Sequence, residues 1–214
     1  MPPVSTPVLR VQEFTPNGPL SCADLFVAEL EGDPWVLLVD GSFADSVGGM
    51  RPPRLLLSDA LCAAWSAMRL AAPAAALKAF SDTLVEANNR ESDNIINASA
   101  VMMRRRADST GWDIAECGDT KVFLGGKAVL PGSLRPDDHR LLGPLGSPEP
   151  RILHRLVESG VGAPLSLLTD GAWRLLAKHR LLDLQTAQLA PDAFERFEEL
   201  KFEASDDATF MMLD

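Results

Sequence analysis

Three short apolar segments of the sequence each carry aspartate at one end. They are WVLLVDG (Trp35–Gly41), LSLLTDG (Leu165–Gly171) and SDDATFMML (Ser205–Leu213). Apolar runs of this length, bounded by turn residues, are typical of buried strands. If the fold brings these three strand ends together, their carboxylates form a cluster, and like charges at such distances need a cation to neutralise them. The pattern therefore predicts a metal site if the fold brings the three strand ends together.

The order of the predicted elements favours an α+β fold with antiparallel sheets. Strands are predicted at 25–30, 35–39, 95–103, 112–117, 121–124, 127–130, 165–169 and 208–213. Helices are predicted at 58–70, 74–88, 151–158, 172–182 and 192–200. Residues 131–150 contain five prolines and three glycines and are interpreted as a long surface loop. Because strands and helices fall into separate groups, antiparallel sheets are favoured over a doubly wound α/β fold, and we expect a single domain over residues 1–214.

Composition and charge exclude several classes of protein. The net charge of −10 disfavours nonspecific binding to nucleic acid, and the basic run Arg104–Arg106 is interpreted as a solvated strand end. No apolar stretch reaches the roughly 18 residues of a membrane span, and the N-terminus lacks the pattern of a signal peptide. Cys22, Cys62 and Cys117 form no CxxC pair, which argues against zinc or disulfides. We therefore expect a cytoplasmic protein that binds neither membranes nor nucleic acid.

Each candidate acid has an ordinary explanation when it is taken alone. Asp40-Gly41 is a common turn after a strand, Asp170 suits the start of a helix, and Asp206-Asp207 suit solvated charge. Their joint occurrence is harder to explain as three separate turns. Gly41 adds to this, because a residue without Cβ allows its own carbonyl to approach a ligand closely.

Four short motifs follow one another along the chain: Asp40-Gly41, Gly118-Asp119-Thr120, Thr169-Asp170-Gly171 and Asp206-Asp207-Ala208-Thr209. In this order they resemble the motifs of the PPM-type metal-dependent protein phosphatases, the relatives of phosphatase 2C. The small residues Asn97–Ala100 also resemble the strand start that precedes the central meander of that family. The resemblance covers about residues 20 to 214.

This resemblance implies a β-sandwich of two antiparallel sheets flanked by helices, with two Mg or Mn ions at one end. Asp40 would bridge both ions, Gly41 would offer its carbonyl, and Asp119 would hold the third, weaker ion of some members. The other implied members of the site are Asp24, Asp170 and Asp206. The implied activity is hydrolysis of phosphoserine or phosphothreonine in a phosphoprotein by a metal-activated water, with no side-chain nucleophile.

The sequence departs from the family pattern at several positions, and a second function stays open as a result. Ala23 stands where members carry a Glu, no Arg lies just upstream, Ser42 stands in place of a His, and Arg174 stands in place of an acid. Arg51 or Arg54 is a candidate replacement for the missing phosphate-binding Arg. The alternative function is a catalytically weak or inactive phosphatase-like module that binds a phosphoprotein or another partner.

A third functional hypothesis has less support, and the histidines and tryptophans are assigned no functional role. A haloacid-dehalogenase-like phosphatase needs a second acid two residues after the first, and Asp40 is followed by Gly41 and Ser42. The three histidines are expected at the surface and the four tryptophans in the core. These residues are His139, His154, His179, Trp35, Trp65, Trp112 and Trp173.

Overall fold

The described residues of the computed structural model form two antiparallel sheets and four α-helices. The structure describes residues 7–16, 23–43, 53–90, 96–108, 111–130, 141–143, 149–158 and 163–214. The strands are β1 Leu9–Phe14, β2 Asp24–Glu29, β3 Trp35–Phe43, β4 Ile96–Arg105, β5 Gly111–Cys117, β6 Lys121–Leu124, β7 Lys127–Ala128, β8 Ile152–Glu158, β9 Leu165–Leu168, β10 Leu182–Asp183, β11 Gln188–Leu189 and β12 Ala208–Leu213. The helices are α1 Pro53–Met68, α2 Pro73–Arg90, α3 Asp170–Lys178 and α4 Ala193–Leu200, followed by a short 3-10 helix at Lys201–Glu203. The predicted α+β class is confirmed.

The two sheets pack face to face around a shared apolar core. One sheet has five strands in the order β2-β3-β4-β5-β8, and the other has seven in the order β1-β12-β9-β6-β7-β11-β10. Val36, Leu38 and Val101 of the first sheet pack with Leu167 and Met211 of the second. The arrangement is the predicted β-sandwich.

Helices cover the outer faces of both sheets, and this explains the unbroken apolar runs in the sequence. Trp35, Leu37 and Val39 alternate with the inward-facing residues of β3 and pack under α1 and α2. On the other sheet, Phe123 and Phe210 pack under α3 and α4. Strands buried on both faces read as continuous hydrophobic segments rather than alternating ones.

The helix predicted at 151–158 is wrong, because this segment is the edge strand β8. It pairs along its whole length with β5, from Cys117 opposite Ile152 to Gly111 opposite Glu158. As an edge strand it leaves three consecutive side chains exposed at 154–156, so the alternation typical of a strand is missing. Sheet pairing decided the structure where the local pattern was ambiguous.

Other differences concern short or half-buried elements. The sequence analysis did not predict β1, which is half-buried and pairs only with β12 among the described residues. Helix α1 begins at Pro53 rather than Ser58, in line with the preference of proline for the first helical turn. Of the predicted loop 131–150, residues 131–140 and 144–148 lie outside the described ranges, whereas Leu142 bridges to Ala98.

The described histidines and tryptophans can be compared with their expected positions at the surface and in the core. Cys62 and Cys117 form no disulfide among the described residues, and both Cys22 and His139 lie outside those residues. His154 is exposed and pairs with Asp113 at 2.5 Å, whereas His179 is half-buried and pairs with Glu203 at 3.1 Å. Trp35 and Trp112 are buried, whereas Trp65 and Trp173 are half-buried. Within the described ranges, no helix has the length and apolar character needed to cross a membrane.

Candidate metal centre

Strand register brings the first acids to one end of the sandwich. Asp40 continues the inward-facing series of Val36 and Leu38, because side chains on a strand alternate between its two faces. Its partner across the β2–β3 ladder is Asp24, and its partner across the β3–β4 ladder is Ser99. Three polar side chains therefore lie side by side on β2, β3 and β4 at one end of the five-stranded sheet.

The turn between β5 and β6 adds Asp119 to this end of the sheet. Gly118 has a φ of +83°, and a Cβ at this position would collide with the side chain of Ser99. The Ser99 hydroxyl donates to Asp119 Oδ1 at 2.6 Å and accepts the Asp119 backbone N–H at 3.1 Å. Trp173 Nε1 donates to the Asp119 carbonyl at 2.9 Å. Hydrogen bonds therefore hold both the side chain and the backbone of Asp119 in place.

The start of α3 supplies the next carboxylate from the seven-stranded sheet. Asp170 is the first residue of the helix, and its backbone N–H donates to Asp40 Oδ2 at 3.2 Å. Gly171 is required here because a Cβ would collide with the carbonyl oxygen of Asp207. This close backbone approach brings β9 and the start of β12 together beside Asp40.

Carboxylate oxygens of Asp40, Asp119 and Asp170 all lie within 4.8 Å of one another. Burial, followed by the charges of Asp24, Asp170 and Asp119, raises the pKa of Asp40 well above its usual range. Burial and the charge of Asp119 raise the pKa of Asp170 to about 6. Such shifts mean that the ionised cluster is unfavourable unless a positive charge offsets it.

The donor set fits a hard divalent cation such as Mg or Mn. All three side chains offer carboxylate oxygens, which are the ligands such ions prefer. Gly41, next to Asp40, lies in a tight cradle, because a Cβ there would come within 2.5 Å of Leu57 Cδ1 and 3.1 Å of the Ala23 carbonyl oxygen. The Gly41 backbone N–H also donates to that carbonyl at 3.1 Å. The cradle accounts for glycine at this position and fixes the backbone beside the cluster.

Asp24 lies beside this cluster but has a different set of partners. Its Oδ2 accepts the hydroxyl of Thr209 at 2.7 Å and that of Thr169 at 3.1 Å. Burial raises the pKa of Asp24 to about 7, Asp207 adds to the increase, and the two hydroxyls act in the opposite direction. Because Thr169 and Thr209 belong to the other sheet, Asp24 links the two sheets.

The acids ahead of β12 also lie outside the group of three. Asp206 is exposed and accepts the N–H of Asp207 at 2.9 Å. Asp207 Oδ2 accepts the Ala23 N–H at 2.7 Å, and burial raises the pKa of this carboxyl while Arg54 lowers it. Arg54 also lies 4.0 Å from Glu13. Arg51 and the side chain of Ser42 lie outside the described part of the structure.

The structure therefore brings together three of the six predicted site residues as a carboxylate group. These are Asp40, Asp119 and Asp170; Gly41 adjoins them, and Asp24 and Asp206 are neighbours with other hydrogen-bond partners. Which of the six bind a metal stays a prediction.

Two basic side chains, neither assigned to the site from the sequence, face these carboxylates. Arg174 Nη1 lies 2.8 Å from Asp170 Oδ2, and Nη2 lies 3.8 Å from Asp119 Oδ2. The i,i+4 spacing of Asp170 and Arg174 on a helix is the sequence signal that could have predicted the first contact. Lys121 is buried, which lowers its pKa, while Glu116, Asp119 and Asp170 act in the opposite direction.

Comparison with known proteins identifies the fold. The sequence matches no protein-family model and no curated protein. The structure is similar to the Mycobacterium tuberculosis serine/threonine phosphatase PstP/Ppp, with a TM-score of 0.65 and 16% identity over 97% of this chain and 98% of the other. A similar likeness is found to the catalytic domain of PstP in complex with two manganese ions, with a TM-score of 0.65 and 16% identity over 97% of both chains. Staphylococcus aureus Stp1, a serine/threonine phosphatase, matches with a TM-score of 0.63 and 14% identity over 96% of this chain and 93% of the other.

These neighbours define the class of the fold. The chain has the α+β sandwich of the PPM-type serine/threonine phosphatases, and the resemblance seen in the sequence motifs is confirmed at the level of fold. Sequence identities of 13–16% carry no statement about activity.

Proposed function

We propose that this protein is a Mg- or Mn-dependent serine/threonine protein phosphatase that hydrolyses phosphoprotein monoesters with a metal-activated water. The observation that carries the proposal is the convergence of Asp40, Asp119 and Asp170 within 4.8 Å at one end of a phosphatase-like sandwich. The manganese complex of PstP supports the choice of metal and the proposal of two ions. The neighbouring phosphatases support a phosphoprotein as the substrate.

In this proposal the chain supplies ligands and holds them in position. Asp40 lies at the centre of the cluster, with Gly41 next to it, and the Asp170 N–H fixes the orientation of its Oδ2. Asp170 and Asp206 are the further candidate ligands of the two ions, and Ser99 holds Asp119, the candidate ligand of a third ion, beside them. A pair of divalent cations, when bound, acidifies a water molecule to a nucleophile and offsets charge on the phosphoryl oxygens. The reaction then needs no nucleophilic side chain.

The geometry around Asp24 suggests a positioning role in this reaction. Its Oδ2 is occupied by the two threonine hydroxyls, so it holds the ends of β9 and β12 against β2. Those ends carry Asp170 and Asp206. Asp24 therefore holds the strand ends that carry the candidate ligands Asp170 and Asp206.

One observation favours a phosphatase-like binding module as the second candidate. Ala23 occupies the place of the expected Glu, and its short side chain offers no oxygen to the site. Its backbone instead serves the structure, because the N–H donates to Asp207 and the carbonyl accepts from Gly41. A site without that acid has one polar group fewer with which to orient water.

The test is hydrolysis of p-nitrophenyl phosphate and of a phosphothreonine peptide with Mn, with Mg or with EDTA. We expect turnover that depends on the metal and is lost in Asp40→Asn. The matched control is Asp192→Asn, an exposed aspartate ahead of α4 whose side chain makes no capping hydrogen bond. Mn binding weakened by Asp40→Asn without turnover would favour the binding module, and absence of Mn binding would overturn both candidates.

A further inference from the structure

Arg174 places one positive charge against two members of the carboxylate cluster. It lies on α3 one turn after Asp170, with Nη1 2.8 Å from Asp170 Oδ2 and Nη2 3.8 Å from Asp119 Oδ2. The guanidinium group is planar, presents several donors in a fixed geometry and stays charged at any physiological pH. One side chain therefore neutralises part of the charge of both acids.

The contacts of Arg174 also occupy one carboxylate oxygen of each acid, Oδ2 of Asp119 and Oδ2 of Asp170. Asp119 Oδ1 accepts the Ser99 hydroxyl at 2.6 Å, and its Oδ2 faces the guanidinium group. A divalent cation placed between Asp119 and Asp170 would compete with Arg174 for the same oxygens and would be repelled by its charge. No comparable contact of a basic side chain with Asp40 is found among the described residues.

The Arg174 side chain lies at the protein surface. Arg174 is 57% exposed, and its guanidinium carbon lies 5.4 Å from the ring centroid of Trp173. The indole nitrogen of Trp173 donates to the carbonyl of Asp119. The ring thus supports the guanidinium group and the acid it faces.

We propose that Arg174 is a built-in counter-cation that occupies the Asp119–Asp170 side of the cluster and prevents a further divalent cation, beyond the two of the proposed function, from binding there. Asp40 and the other candidate ligands remain for those two ions, and the inference rests on the proposed function in this respect. In this role Arg174 limits how many ions the site holds.

Helix α3 offers a matched control for this idea. Lys178 lies one turn after Arg174, is 62% exposed, and pairs with Glu203 at 3.1 Å instead of with the cluster. Lys178→Ala removes the same charge from the same helix. Alanine favours helix formation, so both substitutions should leave α3 intact, and Arg174→Gln serves as a second neutral variant.

The experiment is a Mn titration of the metal-stripped full chain, with free Mn followed by electron paramagnetic resonance. We expect Arg174→Ala and Arg174→Gln to bind one Mn more per chain than wild type at saturation, or to bind their weakest Mn at least tenfold more tightly. Arg174→Lys, which restores the charge, and Lys178→Ala should match wild type. Identical stoichiometry and affinity in wild type and both neutral variants would overturn the inference.

The binding data separate this inference from the proposed function. If wild type binds Mn but hydrolyses neither substrate, and Arg174→Ala still gains an ion, the phosphatase proposal fails and the inference stands. If wild type is active and the neutral variants gain nothing, the inference fails alone. If neither wild type nor the neutral variants bind Mn, both are overturned.

Discussion

Asp24 and Asp40 face each other across one ladder of the sandwich, yet their surroundings are opposite in kind. Asp24 is fully buried and accepts hydrogen bonds from two threonine hydroxyls. Asp40 lies on the interior strand β3 of the same sheet and has two further carboxylates within 4.8 Å. The same residue type thus links the two sheets at one position and belongs to a group of close carboxylates at the other. The difference shows that partners, rather than residue type, decide whether a buried acid needs a cation.

The largest expected difference between the two acids is in turnover. We expect Asp40→Asn to lower metal-dependent kcat by about 1,000-fold, since metal catalysis contributes several kcal/mol and each 1.36 kcal/mol is a factor of ten. Asp24→Asn keeps an oxygen that can accept from the threonines, and we expect a loss of under about tenfold. The measurement is p-nitrophenyl phosphate hydrolysis at saturating Mn. Equal losses in the two variants would show that Asp24 takes a direct part in the reaction.

The pH dependence of stability should expose the charge repulsion in the metal-free protein. The folded-state pKa is raised to about 7 for Asp24 and to about 6 for Asp170, above the ordinary value of 3.8. The folded state therefore binds these protons more tightly than the unfolded state, so stability is lost as pH rises through 6 and 7.

Urea unfolding in EDTA between pH 5 and 7.5 measures this effect. We expect a loss of free energy of unfolding on the order of a few kcal/mol across that range. Saturating Mn should reduce the slope, because a bound cation offsets the carboxylate charge. Stability that rises with pH in EDTA would contradict the assignment of these acids as mutually repelling.

The structural role of Asp24 predicts a smaller loss of stability. Asp24→Ala leaves the hydroxyls of Thr169 and Thr209 buried without their acceptor, which should lower the free energy of unfolding by about 2 kcal/mol. Asp40→Ala removes a repelling charge, so in EDTA it should cost less than Asp24→Ala. Urea unfolding of both variants at pH 7.5 makes the comparison, and the reverse order would refute the distinction drawn between the two acids.

Sequence patterns predicted the positions of the acids because they lie where buried strands end. The apolar runs before Asp40 and Asp170 are strands covered on both faces, so their ends were visible without the structure. The partners of these acids were not predictable, because they depend on register. Ser99 meets Asp119 because β4 pairs with β5, with Ala100 opposite Cys117, and the turn after β5 folds back through the positive φ of Gly118.

Edge strands were the main failure of the sequence-based prediction of the fold. β8 has three consecutive exposed side chains and β1 is half-buried, so neither shows a clear two-residue period. Both strands form through backbone pairing with a neighbour that is distant in sequence. The local sequence pattern of a strand does not indicate which distant strand it pairs with.

The smallest expected effect concerns Arg174 in the metal-free protein, and it sharpens the contrast between the cluster and Asp24. The guanidinium group offsets charge on Asp170 and Asp119, so Arg174→Ala should lower the free energy of unfolding in EDTA at pH 7.5. The contact is more than half exposed on the arginine side, which limits the loss to about 0.5 kcal/mol. Lys178→Ala should not lower stability more than Arg174→Ala does, because the pair of Lys178 with Glu203 is exposed on both sides.

The effects of Arg174→Ala and Lys178→Ala on stability should differ when Mn is added, because only Arg174 competes with the ion for the cluster. Urea unfolding with and without Mn measures the divergence: the stabilisation by Mn should be larger in Arg174→Ala than in wild type and unchanged in Lys178→Ala. Equal stabilisation in all three proteins would mean that the arginine and the metal do not share the carboxylates.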